Sequence, residues 1–392
     1  MFSPKFGAPE LLTMDENTAY CALGRIFGFE PRMAREIAEG LGSASAFFKL
    51  SRDERASLLG PFSKYRDIDF SAELAETERD LDAIRKDGCR FIGIADEAFP
   101  PALRECGDCP TGLYIRSSSP PEEVFAEGWY IAVVGTRDIS PYGEEWCRRI
   151  VSALAGCRNK PVIVSGFAIG TDIIAHSTAL ECGLRTIAVL PTGIDDIYPQ
   201  RHRSMAGLLA RTPGCALVTD YPPRTSPKAI NFLRRNRIIA GLSKATILIE
   251  SKARGGGIIT ADFAFGYDRD LYALPGRIDD IRSEGCNSLI ASGKAGIITG
   301  TQSLIRGLGL ESQSGERRAG LEERIRRCYS DREDIESILR VAGAVKARRG
   351  ISPDEICVDT GMRYRDVLRL TGLLESDGFI TTDILQRCTV KY

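Results

Sequence analysis

The alternation of apolar and polar positions divides the chain into distinct stretches. Up to about residue 70, apolar residues recur at helical spacing through Tyr20 to Phe27, Met33 to Leu41 and Ala46 to Leu50. Gly28, Gly40 and Gly42 fall between these runs, and Pro31 stands where a helix would start. This predicts a small helical domain over residues 1–75, of SAM-like or helix-hairpin-helix-like type. From about Phe91 to Leu310 the period changes. Short β-branched runs at 131–135, 162–166, 185–190, 215–220, 245–250, 271–276 and 296–299 alternate with helical stretches. Strands that are apolar throughout, separated by helices, predict a parallel sheet covered on both faces. Residues 76–310 therefore read as a Rossmann-like, doubly wound α/β domain. The polar stretch at 311–320, ESQSGERRAG, reads as a linker. Residues 321–392 have the outline of a winged-helix domain: a capping box from Ser352 to Glu355, a turn at Gly361, a longer helix and a strand-like tail.

On a doubly wound sheet, ligands bind beyond the carboxyl ends of the strands, so the loops there matter most. The first strand is followed by Gly135, Thr136 and Arg137. The second is followed by a small-residue loop containing Ser165, Gly166 and Gly170, and the fifth by Gly255, Gly256 and Gly257 with Thr260 in the next turn. None of these is a GxGxxG dinucleotide loop, and no GxxxxGK[ST] loop exists. Arg234, Arg235, Asn236 and Arg237 sit at the start of an apolar helical pattern. Guanidinium groups beside a glycine turn at a helix N-terminus suit phosphate oxygens.

The formal net charge of −1 excludes a uniformly basic nucleic-acid binder, so such a role needs local patches. The segment 224–237 is one, with Arg224, Lys228, Arg234, Arg235 and Arg237 and no acid. Phe167 and Phe232 are candidates for stacking against bases. Asp172 and His176, four apart on one helix face, form a possible catalytic pair. No nucleophile in an elbow context accompanies them, so His176 is read as fixing the loop locally. Twelve cysteines are scattered, and the single CxxC, Cys106 and Cys109, has only His176 and His202 to join it. It is read as two incidental cysteines with no metal. The N-terminal residues show no secretory signal, and no apolar run of about 18 residues exists. The expected setting is cytoplasmic, away from membranes.

The motifs VGTR (134–137), SGFAIGTDIIAH (165–176), TIAVLPTGIDDIYP (186–199), RRNRIIAGLS (234–243), LPG (274–276) and EGCNSLI (284–290) resemble the DNA-processing protein A family (DprA/Smf) in order and spacing. The resemblance covers roughly residues 90–310. It implies single-stranded DNA binding with little sequence preference, no cofactor and no enzymatic chemistry. It further implies protection of incoming strands in natural transformation, loading of a RecA-type recombinase and a homodimer. Carried over by position, the family's Gly-Ser-Arg turn falls on Gly135, Thr136 and Arg137, and its Arg-Asn-Arg on Arg235, Asn236 and Arg237. The basic position after Tyr-Pro falls on Arg203, with phosphates expected along Arg137, Arg203, Lys228, Arg235 and Arg237. The chain departs at His202, where asparagine is common, at Thr171, where isoleucine is usual, and at Gly255 to Gly257, which replace Ser-Gly-Ser. Two other functions stay open: a phosphoribohydrolase-type nucleotide enzyme, whose glutamate position is met here by Asp262 at shifted spacing, and a winged-helix transcription regulator.

Overall fold

The structure, a computed structural model, describes residues 14–28, 30–310, 321–330, 332–348, 350–383 and 385–390. The linker expected at 311–320 and most of the N-terminal stretch read for a signal lie outside the described residues. The chain divides into two compact units between Ser312 and Gln313.

In the first unit, helices α1 (Glu16–Phe27), α2 (Pro31–Leu41), α3 (Ala44–Lys49), α4 (Arg52–Leu59) and α5 (Phe70–Lys86) come first. Their starts are written in the local sequence: Pro31 opens α2, Ser51 and Glu54 cap α4 reciprocally, and the Asp69 carboxylate accepts from the first amides of α5. Phe27, Phe47, Tyr65 and Phe70 meet edge to face in their core. Helix α5 runs without a break through residue 75.

The sheet region begins with β1 (Cys89–Gly93), α6 (Pro101–Arg104), β2 (Gly112–Arg116), α7 (Pro121–Val124), β3 (Tyr130–Val134) and α8 (Pro141–Ala155). It continues with β4 (Val162–Ser165), α9 (Thr171–Glu181), β5 (Thr186–Val189), α10 (Arg203–Arg211), β6 (Ala216–Thr219) and α11 (Ala229–Leu242). It closes with β7 (Ala245–Leu248), α12 (Gly256–Gly266), β8 (Asp270–Ala273), α13 (Glu284–Ala291), β9 (Gly296–Ile297) and α14 (Thr301–Gly307). Among the described residues these strands form one sheet in the order β1-β2-β6-β5-β4-β3-β7-β8-β9. From β6 to β9 every pairing is parallel. The seven apolar runs of the sequence are these seven strands. The edge is extended by β2, antiparallel to β6, and by β1, antiparallel to β2.

Alternate residues of β3 enter different cores. Ile131 and Val133 pack with α8, α9 and α14, whereas Ala132 and Val134 pack with α11, α12 and α13. Both faces are therefore covered, which is why the strands show no polar alternation. On α8, Cys147, Ile150, Val151 and Leu154 are fully buried at helical spacing; each large apolar side chain of this kind contributes roughly 1.5–3 kcal/mol.

The chain order reverses at β3. From there the sheet grows through β4, β5 and β6 on one side, and through β7, β8 and β9 on the other. The loops leaving β3 and β7 diverge over opposite faces, which leaves a crevice at their carboxyl ends.

The second unit has α15 (Leu321–Cys328), α16 (Ile335–Ala347), α17 (Pro353–Thr360), α18 (Tyr364–Ser376) and the antiparallel pair β10 (Ile380–Thr382) and β11 (Cys388–Val390). The capping box expected at Ser352 and Glu355 is present, and Gly361 ends α17 with φ +69°. One core joins Ile338, Val341, Ile356, Val367, Leu370 and Leu374 from α16, α17 and α18.

Candidate nucleic-acid interface

The crevice at the reversal point is a cleft of about 650 Å³. The turn after β3 (Gly135, Thr136, Arg137) forms one wall. Ser251, Lys252, Gly255, Gly256, Gly257 and Thr260 form another, and the first turns of α11 close it with Phe232, Leu233, Arg235 and Asn236. All three loops read from the sequence meet here, the second through Ala168 and Asp172 and not through its glycines.

The turn after β3 is held by packing that leaves no room for a side chain. A Cβ on Gly135 would lie 2.5 Å from the Thr171 hydroxyl. Gly170 has φ +80°, and a Cβ there would lie 2.5 Å from the Thr136 carbonyl. The Thr171 amide and hydroxyl both donate to that carbonyl, at 3.2 Å each. Threonine at 171, where the family usually has isoleucine, thus anchors the Gly135–Arg137 turn. Gly255 caps α12 without a side-chain bond, so the first amides of that helix open on the cleft.

Arg137 is exposed, with its guanidinium 4.8 Å from the centre of the Phe232 ring. Tyr198 meets the other side of this arrangement, edge to face with Phe232 at 5.5 Å, and is itself 40% exposed. Lys252 lines the cleft and Lys228 stands at its rim between Pro227 and Ala229, both exposed. Arg137, Lys228 and Lys252 form no ion pair among the described residues. Phe167, the other aromatic candidate, is a core residue between His176 and His202.

The arginines of α11 have different surroundings. Arg235 is 3% exposed and donates through Nη1 to the carbonyls of Gly166, just beyond β4, and Val189, the last residue of β5. Burial pulls its pKa down to about 10, with the Asp172 carboxylate partly offsetting this. Burial in turn raises the Asp172 carboxyl, which accepts from the Ala168 amide at 3.2 Å. Arg237 pairs with Asp220 and donates to the Asp108 carbonyl. Asn236 donates to the Gly256 carbonyl at 3.3 Å, tying α11 to the glycine turn. Arg234 is half-buried. Arg224, the first cation of the 224–237 segment, pairs with Glu76 and Asp80 of α5. The segment has no acid of its own, but the fold brings acids to it from elsewhere.

The remaining expected residues lie away from the opening. The Ser165 hydroxyl points into the sheet and donates to the Val133 carbonyl at 2.6 Å. Gly166 supports Arg235, and Gly170 supports the turn after β3. Arg203 opens α10 and faces a different groove. Asp262 is exposed and outside the cleft; Asp172 is the one carboxylate lining it among the described residues. Lys252, Tyr198 and Leu233 were not expected as site residues. For Lys252, its place three residues before the glycine turn was the signal available.

Asp172 and His176 do not form a pair. His176 is fully buried, with Nδ1 2.7 Å from the Thr186 hydroxyl, and burial pushes its pKa down to about 3. His202 is buried too and bonds the Phe167 carbonyl at 3.0 Å. Cys106 and Cys109 donate to the Ala102 and Pro110 carbonyls, and burial pushes their thiols up to about 11 and about 12. No helix among the described residues is long and apolar enough to cross a membrane.

The depressed His176 pKa has a consequence for stability. The native state holds the imidazole neutral, whereas the unfolded chain protonates it near the ordinary value of 6.5. Its contribution is complete above pH 6.5 and is lost as pH falls toward 3, at up to about 1.4 kcal/mol per pH unit. The raised Asp172 carboxyl acts with the opposite sign. Urea unfolding at pH 7 and pH 5 should show the loss, and His176→Gln should flatten it by about one proton's worth.

The family model for DNA recombination-mediator protein A matches residues 90–309. The chain is 39% identical over 219 residues to protein Smf of Escherichia coli, covering 56% of each chain. It is 35% identical over 214 residues to DNA processing protein DprA of Streptococcus pneumoniae, covering 55% of this chain and 72% of that one. The match thus spans little more than half the length of the Escherichia coli protein. The X-ray structure of the Streptococcus pneumoniae protein superposes with a TM-score of 0.60 at 28% identity, over 75% of this chain and 98% of that one. The mixed α/β fold with its large, mostly parallel sheet is the same.

Proposed function

Because the chain belongs to the DNA recombination-mediator protein A family, we propose that it binds single-stranded DNA in the cleft at the ends of β3 and β7. One observation carries this reading: Arg137 and Lys252, in no ion pair among the described residues, line the cleft together with the Phe232–Tyr198 aromatic pair, Arg137 directly over the Phe232 ring. Cations along a backbone track beside an aromatic surface for bases are what strand binding without sequence preference requires. The opened amides of α12 add donors for phosphate oxygens.

In this reading α11 has two roles. Its exposed side presents Phe232 to the strand. Its buried side, Arg235 and Arg237, clamps the helix onto the sheet and contributes field rather than contact. The reading is of a binder and not an enzyme, because Asp172 is committed to the Ala168 amide and faces Arg235. The parallel sheet is read as Rossmann-like, the first helices as a SAM-like domain and the second unit as a winged helix. In the last, Arg369 of α18 is paired with Asp334, which favours a protein partner over duplex DNA. A homodimer in the cytoplasm that protects incoming strands in transformation and delivers them to a RecA-type recombinase completes the proposal.

The test is equilibrium binding of fluorescent oligo-dT and of a duplex of equal length across a salt series. The expected result is tighter binding of the single strand, with a log–log slope of about −0.7 per phosphate contact. Equal or tighter duplex binding would move the activity to the second unit.

A further inference from the structure

A second groove, of about 610 Å³, lies beside the cleft and has no role in the account so far. Its walls are the turn after α5 at Asp87 and Gly88, the end of β2 from Arg116, and the outer face of α10. Ile197 lines this groove, while its neighbour in sequence, Tyr198, lines the cleft. The Ile197–Tyr198 segment therefore lies between the two depressions.

Three guanidinium groups line this groove, those of Arg116, Arg203 and Arg211. Arg203 and Arg211 form no ion pair among the described residues, although both are exposed. Arg116 donates only to the Cys89 sulfur, at 3.1 Å. Of the two carboxylates in the groove, Asp195 is taken by the backbone amide of Arg224, at 2.9 and 3.0 Å to its two oxygens. The groove holds three guanidinium groups against two carboxylates, Asp87 and Asp195, with no ion pair between them among the described residues, and so keeps an excess of positive charge. Arg203 and Arg211 are eight residues apart on one face of α10, about 12 Å along its axis. Between them on that face stand only Ala206, Gly207 and Ala210, so an extended chain can lie close to the helix.

We propose that this groove is a second phosphate-binding segment. A single strand seated in the cleft passes over the Ile197–Tyr198 segment and continues along α10, its phosphates on Arg203, Arg211 and Arg116. The proposal rests on the reading of the cleft as the strand-binding site and extends the length of strand that one chain holds. The neutral residue Tyr198 turns the strand between two cationic tracks.

The experiment compares oligo-dT of about 4 and about 16 nucleotides, the range of site sizes for one binding module. The full-length chain is measured with its Arg116→Ala/Arg211→Ala variant, and with Arg211→Glu, whose single exposed change leaves the core untouched. The expected result is that both variants bind the short oligonucleotide like the natural chain. Each loses at least about tenfold in affinity for the long one. The double variant's salt slope for the long strand should fall by about 1.4, two phosphate contacts' worth. If both variants bind both lengths as the natural chain does, while Arg137→Ala still weakens binding, the groove assignment is overturned and the cleft stands. If the natural chain binds neither length, the cleft reading and the groove fall together.

Discussion

Replacing Arg235 by alanine is expected to cost the fold about 3–5 kcal/mol, as breaking a buried charge cluster from one side does. The guanidinium is buried beneath the cleft, where it ties α11 to the carbonyls of Gly166 and Val189. Its removal leaves two buried acceptors without their donor, and the Asp172 carboxyl without the cation that offsets its burial. The melting temperature should fall by on the order of 10 °C in a unit of this size. Lysine is not a conservative replacement, because its compact, strongly hydrated ammonium is costlier to bury than the delocalised guanidinium. A variant that melts like the natural chain yet binds DNA poorly would show that Arg235 contacts the strand and that its buried bonds are dispensable.

Arg137→Ala and Phe232→Ala are expected to weaken single-strand binding in two distinguishable ways. The Arg137 guanidinium is exposed over the Phe232 ring and in no ion pair among the described residues, and so is available to a phosphate. Its loss removes one counterion-releasing contact, lowering affinity and making the salt slope shallower by about 0.7. Phe232 offers its surface to a base. Its loss should cost about 1–3 kcal/mol, the range for one base stacked on an aromatic side chain, and leave the salt slope unchanged. Neither substitution opens the core, so melting temperatures should stay within a few degrees of the natural chain.

The parallel sheet was legible because each of its strands is a short, wholly apolar run closed by a turn, and only burial on both faces produces that pattern. The strands β1 and β2 were not singled out. CRFIG and GLYIR mix arginine and glycine with apolar residues, and they pair antiparallel at one edge. The Ser352 capping box was readable because all its parts lie within four residues.

The glycine turns were placed on the correct strand ends, but their division into wall and support was not visible. Ser165 turns inward because the Val133 carbonyl is there to receive it, thirty-two residues away in sequence. The same applies to the arginines of α11. Arg235, Arg237 and Arg224 look alike along the chain, yet their partners come from Gly166, Val189, Asp220, Asp108, Glu76 and Asp80. Whether a guanidinium is spent inside the fold or left for a ligand depends on groups that local sequence does not display. Arg203 is the reverse case, a cation set in a different groove from the one its neighbour Tyr198 enters.

The central claim is that a strand occupies the cleft between the ends of β3 and β7, with phosphates on Arg137 and a base against Phe232. The salt dependence of oligo-dT binding by the natural chain, Arg137→Ala and Phe232→Ala, measured side by side, tests it most directly. The account predicts weaker binding by both variants, with a shallower slope for Arg137→Ala alone. Natural affinity and slope in both variants, with intact melting, would contradict it and place the strand elsewhere on the molecule.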